Sequence, residues 1–126
     1  MNGRLIFEGR AREQLRFHEI NAIAVLLEFF NTDIVCISPS NRKTPDLRIN
    51  GFEWELKSPQ GDNAKTVEKI LRKASKQSRN VILDLSRIKT DNNRAISRAK
   101  YFLKNDDRSI DRLLVITKDR RVIELK

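Results

Sequence analysis

The alternation of apolar and polar positions is clearest over residues 46–57. Leu47, Ile49, Phe52, Trp54 and Leu56 fall on one face of an extended chain, and Asp46, Arg48, Glu53, Glu55 and Lys57 fall on the other. Asn50-Gly51 sits between the two halves, the strongest local signal for a two-residue hairpin turn with both central residues at positive φ. That turn sets the register. Ile49 lies opposite Phe52, Arg48 opposite Glu53, Leu47 opposite Trp54, and Asp46 opposite Glu55. The apolar face is expected to be a core face.

Ahead of the hairpin, residues 1–10 read as a short arm or a strand leading into a helix. A period near 3.6 then runs from about Ala11 to Phe30 and predicts one long amphipathic helix. Its broad apolar arc holds Leu15, Ile20, Ala22, Ile23, Leu26, Leu27, Phe29 and Phe30. Asn31-Thr32-Asp33 ends it, Ile34 to Ile37 reads as an apolar strand, and Ser38 to Lys43 as a polar loop. After the hairpin, Gln60-Gly61-Asp62-Asn63 is a turn in which Asp62 or Asn63 caps a second helix. That helix is predicted from about Ala64 to Ser78, with Val67, Ile70, Leu71 and Ala74 facing in. Asn80 to Leu85 is almost continuously apolar and reads as a central strand. Residues 91–104 form a third helix, with Ala95, Ile96, Ala99, Phe102 and Leu103 inward, and Asn105 to Ser109 a loop. Arg112 to Thr117 and Arg121 to Leu125 are strands joined by a turn at Lys118-Asp119-Arg120. There is no internal repeat or linker. The pattern predicts a single α/β domain over 1–126, with a mixed central β-sheet of five or six strands flanked by helices.

Charge changes the picture. The chain has 126 residues, a net charge of +9 and a pI near 10.1. That balance favours a polyanionic partner, nucleic acid first and an anionic membrane surface second. No apolar run is long enough to span a bilayer, and the stretch at the N-terminus is too short for a secretory signal. Cys36 is the only cysteine and His18 the only histidine. An intramolecular disulfide, a Cys-rich zinc site and a two-histidine metal motif are therefore excluded. Cys36 reads as a small buried hydrophobe and His18 as a polar boundary residue.

The hairpin's polar face carries the candidate chemistry. Arg48 and Glu53 compensate each other, but Asp46 and Glu55 are carboxylates placed opposite, with Lys57 close by. Such a set suits a hard divalent cation, Mg²⁺ or Mn²⁺, with the ammonium beside a bound water or a phosphate. On the hairpin alone, a solvated face of ordinary mixed charge explains it equally well. Glu19 falls near the middle of the first helix's apolar arc, which is costly unless it is paired or the helix end overhangs the core. Gln77 sits at the edge of an apolar stripe, either reaching into a site or simply ending a helix. Asp84 interrupts its strand and reads as a structural hydrogen-bond acceptor. Lys65, Lys69, Arg72, Lys73 and Lys76, with Arg79, make a basic surface suited to tracking phosphates, or a solvated face.

The order helix, strand, hairpin, helix, strand, with Pro45-Asp46 and then Glu55-Leu56-Lys57, resembles the PD-(D/E)XK nuclease superfamily over roughly residues 15–85. The resemblance implies a restriction-endonuclease-like core. It also implies metal-binding roles for Asp46 and Glu55 and a water-positioning or charge-stabilising role for Lys57. Glu19 would be the first-helix acid of the metal site, and Gln77 the polar residue from the helix after the motif. "PDLRINGFEWELKSPQG", a Lys-rich helix ending in Gln-Ser, "NVILDL" and a closing "LLVITKDRRVIEL" are similar to the C-terminal tRNase domains of bacterial contact-dependent growth inhibition toxins. That likeness covers most of residues 15–125. It implies a metal-dependent endonuclease acting on RNA, with tRNA favoured and DNA the main rival. It further implies an immunity protein as partner and action in the cytoplasm of the producing or target cell. The chain opens on Met1 with no delivery region, which leaves a fragment or a mobile-element toxin as alternatives to a secreted one.

Three rivals remain. One is a restriction-type or structure-specific DNA endonuclease. The second is a metal-independent RNase of the barnase–colicin–RelE type, for which His18, Lys57, Ser58 and Thr66 would be the acid–base candidates. The third is a non-catalytic nucleic-acid-binding module. Six Phe, one Trp and one Tyr are present, mostly expected in the core, so stacking on single-stranded bases finds little support in the sequence.

Overall fold

The computed structural model describes residues 3–38, 45–105 and 109–126. Its strands are β1 (Leu5–Phe7), β2 (Ile34–Cys36), β3 (Leu47–Ile49), β4 (Phe52–Lys57), β5 (Asn80–Asp84), β6 (Arg112–Ile116) and β7 (Val122–Glu124). Its helices are α1 (Ala11–Gln14), α2 (Phe17–Phe30), α3 (Thr66–Ala74) and α4 (Asn92–Asn105). The strands lie side by side in chain order in a seven-stranded mixed sheet. This exceeds the five or six expected, because Leu5–Phe7 pairs in parallel with β2. The β4–β5 and β5–β6 pairs are also parallel, and the other three pairs are antiparallel.

Each parallel pair requires a helical crossover, and the crossovers divide between the two faces of the sheet. On one face α2 buries Ala22, Ile23, Val25 and Leu26 against Ile34, Leu47, Ile49, Trp54, Leu56, Ile82 and Leu114. On the other, α3 and α4 bury Val67, Leu71, Ala74, Ala95, Ala99 and Phe102 against Val81, Leu83, Leu113 and Val115. Central strands covered on both sides must be apolar on both sides, which explains the unbroken hydrophobic run of β5.

The hairpin register is the expected one, with Leu47 facing Trp54, Arg48 facing Glu53 and Ile49 facing Phe52. Asn50 and Gly51 both take positive φ, 52° and 83°. Asp46 differs. It lies just outside β3, held by its amide to the Trp54 carbonyl and by its own carbonyl, which accepts from the Ile37 amide. Phe52 is also not a core residue. It is 43% exposed, with the Arg112 guanidinium 4.1 Å from its ring centre.

The helix expected over Ala11 to Phe30 is two helices. Leu15 and Arg16 take extended ψ of 131° and 160°, and the chain restarts where Glu19 Oε1 accepts the Arg16 amide at 2.9 Å. The acid three residues into a helix satisfies an otherwise orphaned amide. Ile20 and Phe29, expected in the buried arc, are exposed. The second predicted helix is shorter than expected, Thr66–Ala74, and Asn63 Oδ1 accepts the Lys65 amide ahead of it. Cys36 is buried, as expected. Most of the loops expected over 38–43 and 105–109 lies outside the described residues.

Candidate active site

Glu55 and Lys57 leave β4 on the face covered by α3 and α4, since their partners on β5 are Val81 and Leu83. Glu55 is 2% exposed, far from the solvated face that ordinary hairpin charges occupy. Its Oε2 lies 3.1 Å from Lys57 Nζ. Its Oε1 is buried and has no hydrogen-bond partner among the described residues. Asp46 turns its carboxylate toward the same strand, where Oδ2 accepts the Leu56 amide at 2.9 Å. The bend before β3 thus places Asp46 next to Glu55.

Burial is the first cause of the unusual titration of this pair. It pushes Glu55 up from 4.5 to about 8, the Asp46 charge adds to the rise, and Lys57 pulls against it. Burial also raises Asp46. The Leu56 amide opposes the rise, as does a hydrogen bond with the Glu55 carboxyl; the Glu19 charge adds to it, and Lys57 opposes it. Two adjoining carboxylates in a desolvated site hold a proton or take a cation in its place.

An orphaned buried carboxylate oxygen beside a second carboxylate matches the donor chemistry of a hard divalent ion. Asp46 and Glu55 are the residues that could hold one. Glu19 is half-buried near the start of α2 and close enough for its charge to raise both Asp46 and Cys36. One of its oxygens is committed to the Arg16 amide. Among the described residues no set of three or more His, Cys, Asp or Glu side chains is gathered tightly enough to share an ion. Glu19 therefore acts on Asp46, through space, in this arrangement.

Gln77 lies beyond the C-terminus of α3 and lines a cavity of about 540 Å³ with Pro45, Arg48, Phe52 and Glu53, near the hairpin's turn. Lys65, Lys69, Arg72, Lys73 and Lys76 are all exposed. At the α-helical repeat they span an arc of about 100°, opposite Val67, Leu71 and Ala74. Arg72 also lies 5.9 Å from the Phe102 ring centre. Arg79 is engaged in a two-point pair with Asp111, at 2.9 and 3.0 Å. Of the residues in the metal-free alternative, His18 rides on α2 and Thr66 on α3, helices on opposite faces of the sheet. The Ser58 hydroxyl donates to Asp84 Oδ2 at 2.8 Å.

Asp84 is 1% exposed and also accepts the Ser86 amide, so it is the structural acceptor expected of it. Arg87 was not anticipated. Its Nη2 donates to the Ser58 carbonyl at 2.6 Å, and its Nε is buried with no partner among the described residues. The arginine stands one residue past Lys57 in space although it is 30 residues on in sequence. Only the β4–β5 pairing, invisible in local pattern, brings them together.

The family profile described as "Contact-dependent growth inhibition CdiA C-terminal domain" matches residues 43–122, more than half of the chain. The chain belongs to this family. The CdiA C-terminal domain match contains Asp46, Glu55, Lys57 and all of α3 and α4, so the candidate site lies within the family's own region apart from Glu19. A solved structure described as "CdiA-CT/CdiI toxin and immunity complex from Burkholderia pseudomallei" is similar with a TM-score of 0.66. The identity is 17%, over 94% of this chain and 89% of that one, a likeness that shows the fold. No curated protein matches the chain. The sequence likeness to contact-dependent growth inhibition toxin domains is thus borne out at the level of the family. Among the described residues no helix is long and apolar enough to cross a membrane.

Proposed function

We propose that this CdiA C-terminal domain is a metal-dependent endonuclease that hydrolyses phosphodiester bonds in RNA, with tRNA the favoured substrate, on a PD-(D/E)XK-like core. The observation that carries the reading is Glu55. A carboxylate this buried, with one oxygen unpartnered and a second carboxylate beside it, is costly for a hairpin that needs only to fold. Its cost is explained if the pair holds Mg²⁺ or Mn²⁺. When bound, the ion would lower the pKa of a water and offset charge on the phosphate.

The chain's own residues do the rest. Asp46 and Glu55 fix the donor positions, Asp46 through the Leu56 amide and Glu55 by its burial in β4. The Lys57 ammonium, 3.1 Å from Glu55, is placed to orient the attacking water and to offset charge at phosphorus as the new P–O bond forms and the leaving P–O bond breaks. The exposed cations of α3 draw the polyanion in. Glu19 adds its charge to Asp46 from α2. The similar toxin was solved with an immunity protein, which supports an immunity partner for this chain as well.

The test is incubation of the protein with total tRNA and with plasmid DNA, in Mg²⁺, Mn²⁺ or EDTA, alongside Asp46→Ala. RNA cutting that requires metal and vanishes in the variant is the expected result. Cutting of DNA alone would move the reading to a DNA endonuclease, and RNA cutting that survives EDTA would move it to the metal-free class.

A further inference from the structure

The solvent-facing side of α4 is chemically distinct from the helix faces already described. Arg94 lies three and four residues before Ser97 and Arg98, and Tyr101 four and three residues after them, so the four share one side of the helix. They border a cavity of about 660 Å³ that Asp62, Asn63 and Lys65 close from the other side, so that Asp62 is the one acid in a lining with three cations, Lys65, Arg94 and Arg98. Arg98 is tied at 3.0 Å to Glu68, which fixes the groove's wall while leaving Lys65 and Arg94 exposed. Tyr101 is 55% exposed.

Its position matters as much as its composition. Lys65 is joined to Lys57 by the β4–α3 connection, which runs from the C-terminal end of β4 to the start of α3. That connection is anchored to the chain leaving β5, where the Lys89 amide donates to the Gly61 carbonyl. The groove therefore opens at the Lys57 end of the parallel strands, on the face to which Glu55 and Lys57 point. It also continues the basic arc of α3, whose first member is Lys65.

The aromatic inventory supports a stacking role that the sequence did not. Phe17, Phe29, Phe52 and Tyr101 are all exposed, contrary to the expectation that most aromatic residues are buried. Tyr101 is the one of these that lines the cation-rich groove. A π-face flanked by exposed cations suits an unpaired nucleotide, stacked through its base and held by its phosphate. An acidic peptide would pair with the cations but would gain no base stacking from the ring.

We infer that the α3–α4 groove seats an unpaired nucleotide of the substrate strand flanking the scissile phosphate, with Tyr101 stacking on the base and Lys65 and Arg94 holding the backbone. The inference rests on the nuclease reading for the identity of the strand, but its binding test is separate from cleavage. A fluorescently labelled single-stranded RNA oligonucleotide is titrated in EDTA with the wild type and with Tyr101→Ala, Tyr101→Phe, Arg94→Ala and Lys65→Ala. Arg120→Asn, which removes a cation lining a cleft with Val25 and Phe29 on the α2 face, is the control.

Tyr101→Ala should weaken binding by about fivefold or more while Tyr101→Phe stays near wild type. Arg94→Ala and Lys65→Ala should weaken it and each reduce the slope of log K against log salt by about one. The Arg120 variant should bind as wild type. Thermal melts of each variant establish that the fold is retained. Wild-type affinity in Tyr101→Ala, or equal losses in Tyr101→Ala and Tyr101→Phe, overturns the stacking role. Wild-type affinity in all the groove variants overturns the site even where the protein cuts RNA. Conversely, groove-dependent binding by a protein that cuts nothing keeps the site and removes the nuclease reading.

Discussion

Lys57 Nζ stands 3.1 Å from Glu55 Oε2, and the two side chains leave the same face of β4 two residues apart. The pairing is unequal. Glu55 is almost wholly buried, whereas about a quarter of the Lys57 side chain reaches solvent, 27% against 3%. A lysine that only neutralised a structural acid would gain little from keeping part of its side chain accessible. In Lys57→Met the Glu55 carboxyl can keep its proton, so thermal stability near pH 6 should change little. Cleavage should fall about a hundredfold or more, the scale seen when one group aimed at transition-state charge is removed. Single-turnover cleavage and a thermal melt on the same sample check both halves. Wild-type cleavage by the variant removes Lys57 from the mechanism.

The raised titration of Glu55 has a stability consequence of definite sign. An acid whose folded-state pKa lies above its unfolded value binds more protons in the native state between the two. That contribution is complete below 4.5 and is lost as pH rises through about 8. Metal-free protein should therefore lose stability from pH 5 to pH 8, at no more than about 1.4 kcal/mol per pH unit from this group. Glu55→Gln should flatten the dependence. Melts in EDTA across this range check it, and a slope unchanged in Glu55→Gln would assign the effect elsewhere.

The same proton competes with a cation. Mg²⁺ or Mn²⁺ should raise the melting temperature of the wild type, more at pH 8 than at pH 6, because binding must displace what the carboxyl pair holds. EDTA should reverse the rise. Glu55→Gln and Asp46→Asn should each abolish most of it while remaining folded. A metal-induced shift of the same size in both variants would place the ion at other residues.

Local pattern carried much of this fold, and the reasons for its failures are physical. Asn50-Gly51 has few ways to join two alternating strands, so the hairpin register could be read directly, and with it the approach of Asp46 to Glu55. The break between α1 and α2 was hidden because Arg16 is not a capping residue. Glu19 supplies the cap from inside the helix, and the same side chain read as an acid in a core arc. Glu55's burial was equally hidden, since alternation shows which face a residue takes but not that α3 covers that face. Arg87 and the α4 groove depend on contacts between residues 29 or more apart, which no periodicity encodes.

Asp84 offers a test of structure apart from chemistry. Its two oxygens receive the Ser58 hydroxyl and the Ser86 amide, at 2.8 and 3.0 Å, from within a buried strand end. Asp84→Ala leaves both donors without that acceptor, at a cost of about 1–3 kcal/mol for a buried group. Ser58→Ala removes a single donor and should cost less. Urea denaturation of both variants orders them, and equal losses would mean that the Ser86 amide finds water in place of the carboxylate.

The turn that sets the register can be strained without being moved. Gly51 has φ +83°, and a Cβ added there would meet nothing within 4 Å, so Gly51→Ala carries a conformational cost and no clash. Left-handed backbone costs an L-residue about 1–2 kcal/mol, a fall of a few degrees in melting temperature for a domain of this size. A one-residue slip of the hairpin would carry Glu55 and Lys57 to the α2 face and erase the site. The Leu47–Trp54 and Ile49–Phe52 pairs, with Trp54 packed at 6.0 Å from Phe30, oppose that slip. Gly51→Ala should therefore melt earlier yet cleave at the wild-type rate below its transition. Loss of cleavage in protein that is still folded would show that the turn, rather than the packing of Leu47 and Trp54, holds the two carboxylates in register.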